Sequence, residues 1–202
     1  MSPPPAASYR MVVVGASAGG LHALRTLVSG FDESFGIPVT VVQHRSKDSH
    51  LLCELLQECC RLPVNEVMDK QAIEPGTIYV APADYHLLVD DGTFSLTTDE
   101  PVRFSRPSID VTFESVADTF GADAVGVVLT GANADGSRGL ARIAAMGGHA
   151  LVQDPDEAEV KVMPRAALRA VPGACVLPVQ AMAAHLAAIR GRRVPPCKVA
   201  GA

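Results

Sequence analysis

Residues 11–20 read Met-Val-Val-Val-Gly-Ala-Ser-Ala-Gly-Gly, a β-branched apolar run that drops straight into a glycine-rich turn. A helical pattern follows at once, with Leu21, Leu24, Leu27 and Val28 on one face. Strand, tight turn and helix form the repeating unit of an open parallel α/β sheet. In such sheets ligands bind in the crevice beyond the carboxyl ends of the strands. Ser17 stands at that edge. Two other segments end the same way: residues 38–44, PVTVVQH, lead to His44, and residues 124–136, AVGVVLTGANADG, lead to Asp135. Serine, histidine and aspartate gathered at one sheet edge are the parts of an activated-hydroxyl hydrolase: nucleophile, general base, and the acid that orients the base.

Working outward, strand and helix patterns alternate through most of the chain. Residues 51–61 read as a helix closed by Pro63, and residues 77–81 as a strand after the Glu74-Pro75-Gly76 turn. Asp90-Asp91-Gly92 between Leu87–Val89 and Thr93–Thr97 signals a hairpin, read as an antiparallel excursion at one edge of the sheet. Ser108 is placed to cap a helix over Ile109–Phe120, with Asp110 in its first turn suiting the dipole. Residues 124–129 have the continuous β-branched character of a strand buried on both faces. A helix ending near Met146, a strand over 150–153 and helices over 164–170 and 179–190 complete the pattern. The expected fold is α/β: a doubly wound, mainly parallel sheet flanked by helices, with an antiparallel hairpin at one edge. One domain over residues 11–191 is expected, with a disordered lead (1–10) and a disordered tail (192–202).

Composition narrows the class. Hydrophobic residues make up 48% of the 202 and charged residues 19%, the balance of a soluble domain. There is no apolar run of membrane-spanning length and no signal-peptide pattern at the start, so a cytoplasmic protein is expected. A net charge of −5 argues against a broad nucleic-acid surface. Five cysteines, an odd count without a C-x-x-C pair, make disulfides or a zinc site poor expectations.

Gly15-Ala16-Ser17-Ala18-Gly19 matches G-x-S-x-G, the turn that exposes a serine at a sheet edge. Backbone N–H groups opening the next helix face the same space, with Ala18 the leading oxyanion donor. A glycine turn that only packs helix on strand explains the motif about equally well when it is read alone. The Rossmann spacing is not met, because Ser17 occupies its second glycine position. Ser, His, Asp is also not the chain order of the α/β-hydrolases, but a triad is recognised by geometry. His44 is favoured as base by its position after VTVV, and an imidazole's ordinary pKa of about 6.5 suits that role. His86 is its rival. Asp-Gly pairs often only shape turns, and Asp123, Asp154 and Asp156 compete with Asp135.

Read together, the segments GASAGG, VVQH, YVAPADYHLLV, RPSIDVTFESVA, GVVLTGANADGSRG, ALVQDP and VMPRAA resemble the catalytic domain of CheB-type protein-glutamate methylesterases, over about Val12 to Val171. The resemblance implies a Ser17, His44, Asp135 triad and no cofactor or metal. It implies hydrolysis of glutamate γ-methyl esters on chemoreceptor-like signalling proteins, with methanol released; some members also deamidate glutamine. The implied partners are a methylated receptor, a cognate methyltransferase or a separate receiver domain, with no nucleic acid and no membrane insertion. Where the family loop reads LTGMGxDG, this chain has LTGANADG, so Ala132 replaces a methionine beside the triad and Asn133 a glycine. Ala18 stands where some relatives have threonine. About ten residues precede the first strand, too few for a receiver domain of ~100 residues, so control in cis is not expected if the chain is complete.

Arg45, Lys47, Arg103, Arg106 and Arg138 lie near these motifs as candidates to orient an acidic receptor helix, Arg138 foremost. Solvated surface charge explains any one of them as well. Other readings stay open at this point: a non-catalytic signalling or scaffolding module that retains the fold, a nucleotide-binding domain, or an esterase for small-molecule esters.

Overall fold

The computed structural model describes residues 9–46, 51–90 and 92–190. Seven parallel strands form the main sheet: β1 (Met11–Ala16), β2 (Val39–Gln43), β3 (Val64–Glu66), β4 (Ile78–Val80), β7 (Ala124–Val128), β8 (His149–Gln153) and β9 (Cys175–Leu177), in the order β3-β4-β2-β1-β7-β8-β9. The β1 run lies at its centre, between β2 and β7, because a strand flanked on both sides and covered on both faces must be apolar throughout. Its residues divide by parity. Val12, Val14 and Ala16 face helices α1 (Gly20–Ser29), α2 (Leu52–Gln57) and α6 (Val179–Ile189), while Met11 and Val13 face α3 (Ile109–Phe120), α4 (Ser137–Ala145) and α5 (Val162–Ala170).

The chain leaves β1 through α1 toward β2, and leaves β7 through α4 toward β8, on the other side and the other face. The topological switch point therefore falls between β1 and β7, where doubly wound sheets open their crevice. Ser17 follows one of these strands and Asp135 the other.

The hairpin β5 (His86–Asp90) and β6 (Thr93–Thr97) forms a two-stranded sheet of its own. It sits against α3, not as an added strand of the main sheet. The α3 sequence explains this. Thr112 and Thr119 donate to the carbonyls of Leu87 and Val89 at 2.8 and 2.9 Å, and Ser115 Oγ accepts from Val89 N–H at 3.1 Å. One polar stripe on the helix thus satisfies the free edge of β5, while Leu87, Val89 and Phe94 fill the core beneath.

Several boundaries shift from the sequence reading. The helix expected over 51–61 ends at Gln57, whose side chain donates to the carbonyls of Cys60 and Leu62 and accepts from Val64 N–H, closing a turn instead. The lead expected through residue 10 ends sooner: Tyr9 is buried, and Arg10 N–H bonds Asp123 O at 2.8 Å. The rest of that lead, the tail, Lys47, His50 and Cys197 lie outside the described residues. No helix among the described residues is long and apolar enough to cross a membrane.

Helices α3 and α4 approach closely at Gly139, where an added Cβ would collide with Phe113 Cβ and stand 3.0 Å from Asp110 O. Helix propensity alone favours alanine there by about 1 kcal/mol. Packing opposes it, and Gly139→Ala is expected to destabilise by about 1–3 kcal/mol. Urea unfolding at pH 7 measures the sign.

Candidate active site

Ser17, His44 and Asp135 meet beyond the strand ends. His44 Nδ1 lies 3.2 Å from Ser17 Oγ and His44 Nε2 lies 2.8 Å from Asp135 Oδ2. An ionised carboxylate only accepts, so Nε2 carries the proton and Nδ1 presents its lone pair to the serine hydroxyl. The ring is used in the opposite sense from the serine-protease template, where Nδ1–H faces the acid.

Asp135 is fully buried and ringed by donors. Its Oδ1 accepts from Ser108 Oγ (3.0 Å), Asp110 N–H (3.0 Å) and Gly136 N–H (3.1 Å), and its Oδ2 from Ile109 N–H (2.7 Å) and His44. Ile109 and Asp110 open α3, so the carboxylate sits on the positive end of that helix. Burial alone pushes this carboxyl up. The hydrogen bonds from His44, Asp110 and Ile109 outweigh it and hold the group below the usual range, so it stays ionised. Gly136, with φ 90°, lets the loop turn into α4 at once; a Cβ there would lie 2.6 Å from Ile109 Cγ2.

The serine turn is braced by a residue that pattern reading passed over. Ser17 N–H donates to Thr130 O at 3.0 Å, and Thr130 Oγ1 donates to Ala18 O at 2.9 Å. Gly19, at φ 75°, then admits the chain to α1. The N–H groups of Ala18 and Gly19 make no hydrogen bond among the described residues, and Ala18 is exposed at the rim. Ser108, read from sequence only as a helix cap, also donates to Asp135 Oδ1. Neither Thr130 nor Ser108 carries a sequence signal for this duty, because each acts across the sheet on a remote element.

The other sequence candidates are placed as follows. Asn133 accepts from Asp135 N–H through Oδ1 at 3.0 Å and turns its amide toward His44 Nδ1 at 3.5 Å. Ala132 is exposed beside it. Arg138 is engaged with Glu114, Nη2 to Oε2 at 3.3 Å and Nε to Oε1 at 2.5 Å, which also pushes the guanidinium pKa up. Arg106 is tied to Asp84 and to the carbonyls of Thr98 and Asp99, and Arg45 to Glu66 and Ala81 O. His86 is buried, bonding Glu100 O and accepting from Ser108 N–H, so it supports the wall of the site instead of facing the serine. Asp110 accepts from Gly139 N–H at 2.8 Å, and its buried Oδ2 has no partner among the described residues. Burial first, then the neighbouring Asp135, pushes its carboxyl up.

A doubly wound α/β domain with a Ser–His–Asp hydrogen-bonded chain at its switch point has the build of a hydrolase. The family model for CheB methylesterase matches residues 12–186. A Leptospira interrogans protein whose name assigns it to the protein-glutamate methylesterase/protein-glutamine glutaminases is 42% identical over 87% of this chain and 92% of its own length. The protein-glutamate methylesterase/protein-glutamine glutaminase 1 of Carboxydothermus hydrogenoformans is 37% identical over 89% of this chain, which spans about half of that relative (55%). The crystal structure of the Thermotoga maritima CheB methylesterase catalytic domain superposes with a TM-score of 0.85, at 28% identity, covering 90% of this chain and 98% of that one. The chain belongs to the CheB methylesterase family, and it is a carboxylic ester hydrolase.

Asp135→Asn must turn an amide NH₂ toward N–H donors on one side or the other. It should cost about 1–3 kcal/mol at pH 7, whereas Ser17→Ala leaves stability nearly unchanged. Because the carboxyl is held low, the wild type's advantage is present above the ordinary carboxylate range and shrinks as pH falls through the depressed value. Unfolding free energies of the two proteins between pH 7 and pH 3 measure the gap.

Proposed function

We propose that the protein hydrolyses glutamate γ-methyl esters on a chemoreceptor-like signalling protein, with Ser17 as nucleophile, His44 as base and Asp135 as the acid that orients His44. The observation that carries this reading is the unbroken chain Ser17 Oγ–His44 Nδ1–His44 Nε2–Asp135, at 3.2 and 2.8 Å. As the hydroxyl attacks the ester carbonyl, its proton passes to His44 Nδ1. The imidazolium is stabilised by Asp135, and the oxyanion is received by the unused N–H of Ala18, with Gly19 next to it. Collapse expels the methoxy group, which takes the proton from His44 and leaves as methanol. Water then repeats the attack on the glutamyl-enzyme, and glutamate and free Ser17 are restored. The same path with an amide releases ammonia, so glutamine deamidation belongs to the proposal. No step needs a metal or organic cofactor.

Within this proposal the rim determines which substrate fits. Ala18, Ala132 and Asn133 form it: the two alanines leave room for a helix-borne ester, and the Asn133 amide lies on the serine side of His44. Arg138 would meet an acidic substrate only by sharing its guanidinium with Glu114. A turn close by in sequence offers a better anchor. Val102 and Ser105 exchange both backbone hydrogen bonds (3.2 and 2.9 Å) around Arg103 and Phe104, whose φ values are 50° and 65°. Bulky residues hold such a conformation at a cost of about 1–3 kcal/mol each. Phe104 is fully exposed, four residues before Ser108. An aromatic held out at this strain suits contact with the apolar side of a receptor helix. The partner is accordingly a methylated receptor, met in the cytoplasm, with a cognate methyltransferase or a separate receiver domain as further partners.

Two measurements test this. Methanol release from a methylated receptor is expected from the wild type and to fall at least 10³-fold in Ser17→Ala and in His44→Gln, with the double variant scarcely worse than either single one. Multiplicative losses would mean that the two residues act in separate steps. Phe104→Ala is expected to raise KM for the receptor several-fold while leaving hydrolysis of a small soluble ester unchanged. Equal effects on both substrates would remove Phe104 from docking.

A further inference from the structure

A second group of chemically active side chains lies at the other end of the sheet. His149 starts β8, Cys175 starts β9 and His185 lies on α6. The triad stands beyond the carboxyl ends of the strands and this group at their amino ends. Five strand residues at about 3.3 Å each separate the two by roughly 16 Å. The register Leu151↔Cys175 puts Cys175 on the sheet face of Leu151, and the alternation of β8 puts His149 on that face too. That face is covered by α6, whose buried residues Met182, Leu186 and Ile189 define the stripe that carries His185 inward. The two imidazoles stack at 5.3 Å between centroids, with their Nε2 atoms 3.1 Å apart. One ligand atom from each of the three residues lies within 4.8 Å of the others.

We propose that His149, Cys175 and His185 form a binding site for a zinc-type divalent cation, unconnected with ester hydrolysis. Two imidazoles and a thiolate are the ligand set such an ion prefers. At about 2.0–2.1 Å from nitrogen and about 2.3 Å from sulfur, a tetrahedral ion sets its ligand atoms about 3.3–3.6 Å apart. The nitrogen pair, at 3.1 Å, stands just inside that spacing and must part by a few tenths of an ångström, while the sulfur, within 4.8 Å of both, must close in. Without an ion, one Nε2 must donate its proton to the other. With an ion both Nε2 lone pairs turn to the metal, each ring keeps its proton on Nδ1, and the thiol releases one proton to solvent. His149 and Cys175 are buried and His185 is half-buried, so the fourth position opens on the His185 side and is left for water. The ion would pin α6, the last described helix, to the β8–β9 edge. Its ligands come from two strands and a helix far apart in sequence, so no spacing motif announces it.

The test uses the full, untagged chain stripped with a chelator. Isothermal titration with Zn²⁺ is expected to give one site per chain and a raised Tm. Co²⁺ is expected to give a thiolate-to-cobalt charge-transfer band. Cys175→Ser should abolish the band, and both Cys175→Ser and His185→Gln should weaken Zn²⁺ binding at least tenfold, with methanol release unchanged. Cys59→Ser should bind as the wild type does. The proposal is overturned if the chain takes up no zinc, if the cobalt band is absent, or if the Cys175 and His185 variants bind zinc as tightly as the wild type.

Discussion

The structure turns on how a buried carboxylate is kept charged. Asp135 has no exposure to water, and a lone carboxylate there would be neutralised by burial. Five donors replace its solvent: two N–H groups from the first turn of α3, the Gly136 N–H, the Ser108 hydroxyl and the His44 ring. Those donors come from three separate parts of the chain, so one side chain fixes the start of α3, the β7–α4 loop and the tilt of the imidazole together. The serine turn joins this assembly through Thr130, at the other end of the same loop. Positioning of the proposed nucleophile is thus an outcome of the packing of β1, β7 and α3, not of the turn alone.

How far the sequence foretold this depends on length scale. The β1 and β7 runs are buried on both faces and announce themselves by continuous β-branched residues. The α3 helix was legible from its cap and its period, and the three strand-end residues from the logic of parallel sheets. Two strands were not foreseen. Val64–Glu66 and Cys175–Leu177 are three residues each, too short for any periodicity, and exist because a neighbouring strand offers an edge. The hairpin was foreseen from its turn, but its docking on α3 depends on Thr112, Ser115 and Thr119, whose spacing reads as an ordinary solvated stripe. Ser108, Thr130 and the His149–Cys175–His185 group share one reason for silence: their partners are remote in sequence, and no local pattern encodes them.

The two ends of the sheet have different characters. At the carboxyl end the serine lies on an open rim of small side chains, with exposed Ala18 and Ala132 beside it, which suits an ester carried on a protein surface. At the amino end the imidazoles and thiol lie between α6 and the core, His149 and Cys175 buried and His185 half-buried. Asn133 occupies its place on the rim through the bond to Asp135 N–H, which sets an amide next to the base without disturbing the acid's own donors.

The central claim is that His44, held by Asp135, activates Ser17 and no other hydroxyl. Intact-protein and peptide mass spectrometry after treatment with a fluorophosphonate reads this directly. The account predicts one adduct per chain, carried by Ser17, formed quickly by the wild type and at least a hundredfold more slowly by His44→Gln. Labelling of another serine, or equally fast labelling of Ser17 without His44, would contradict it.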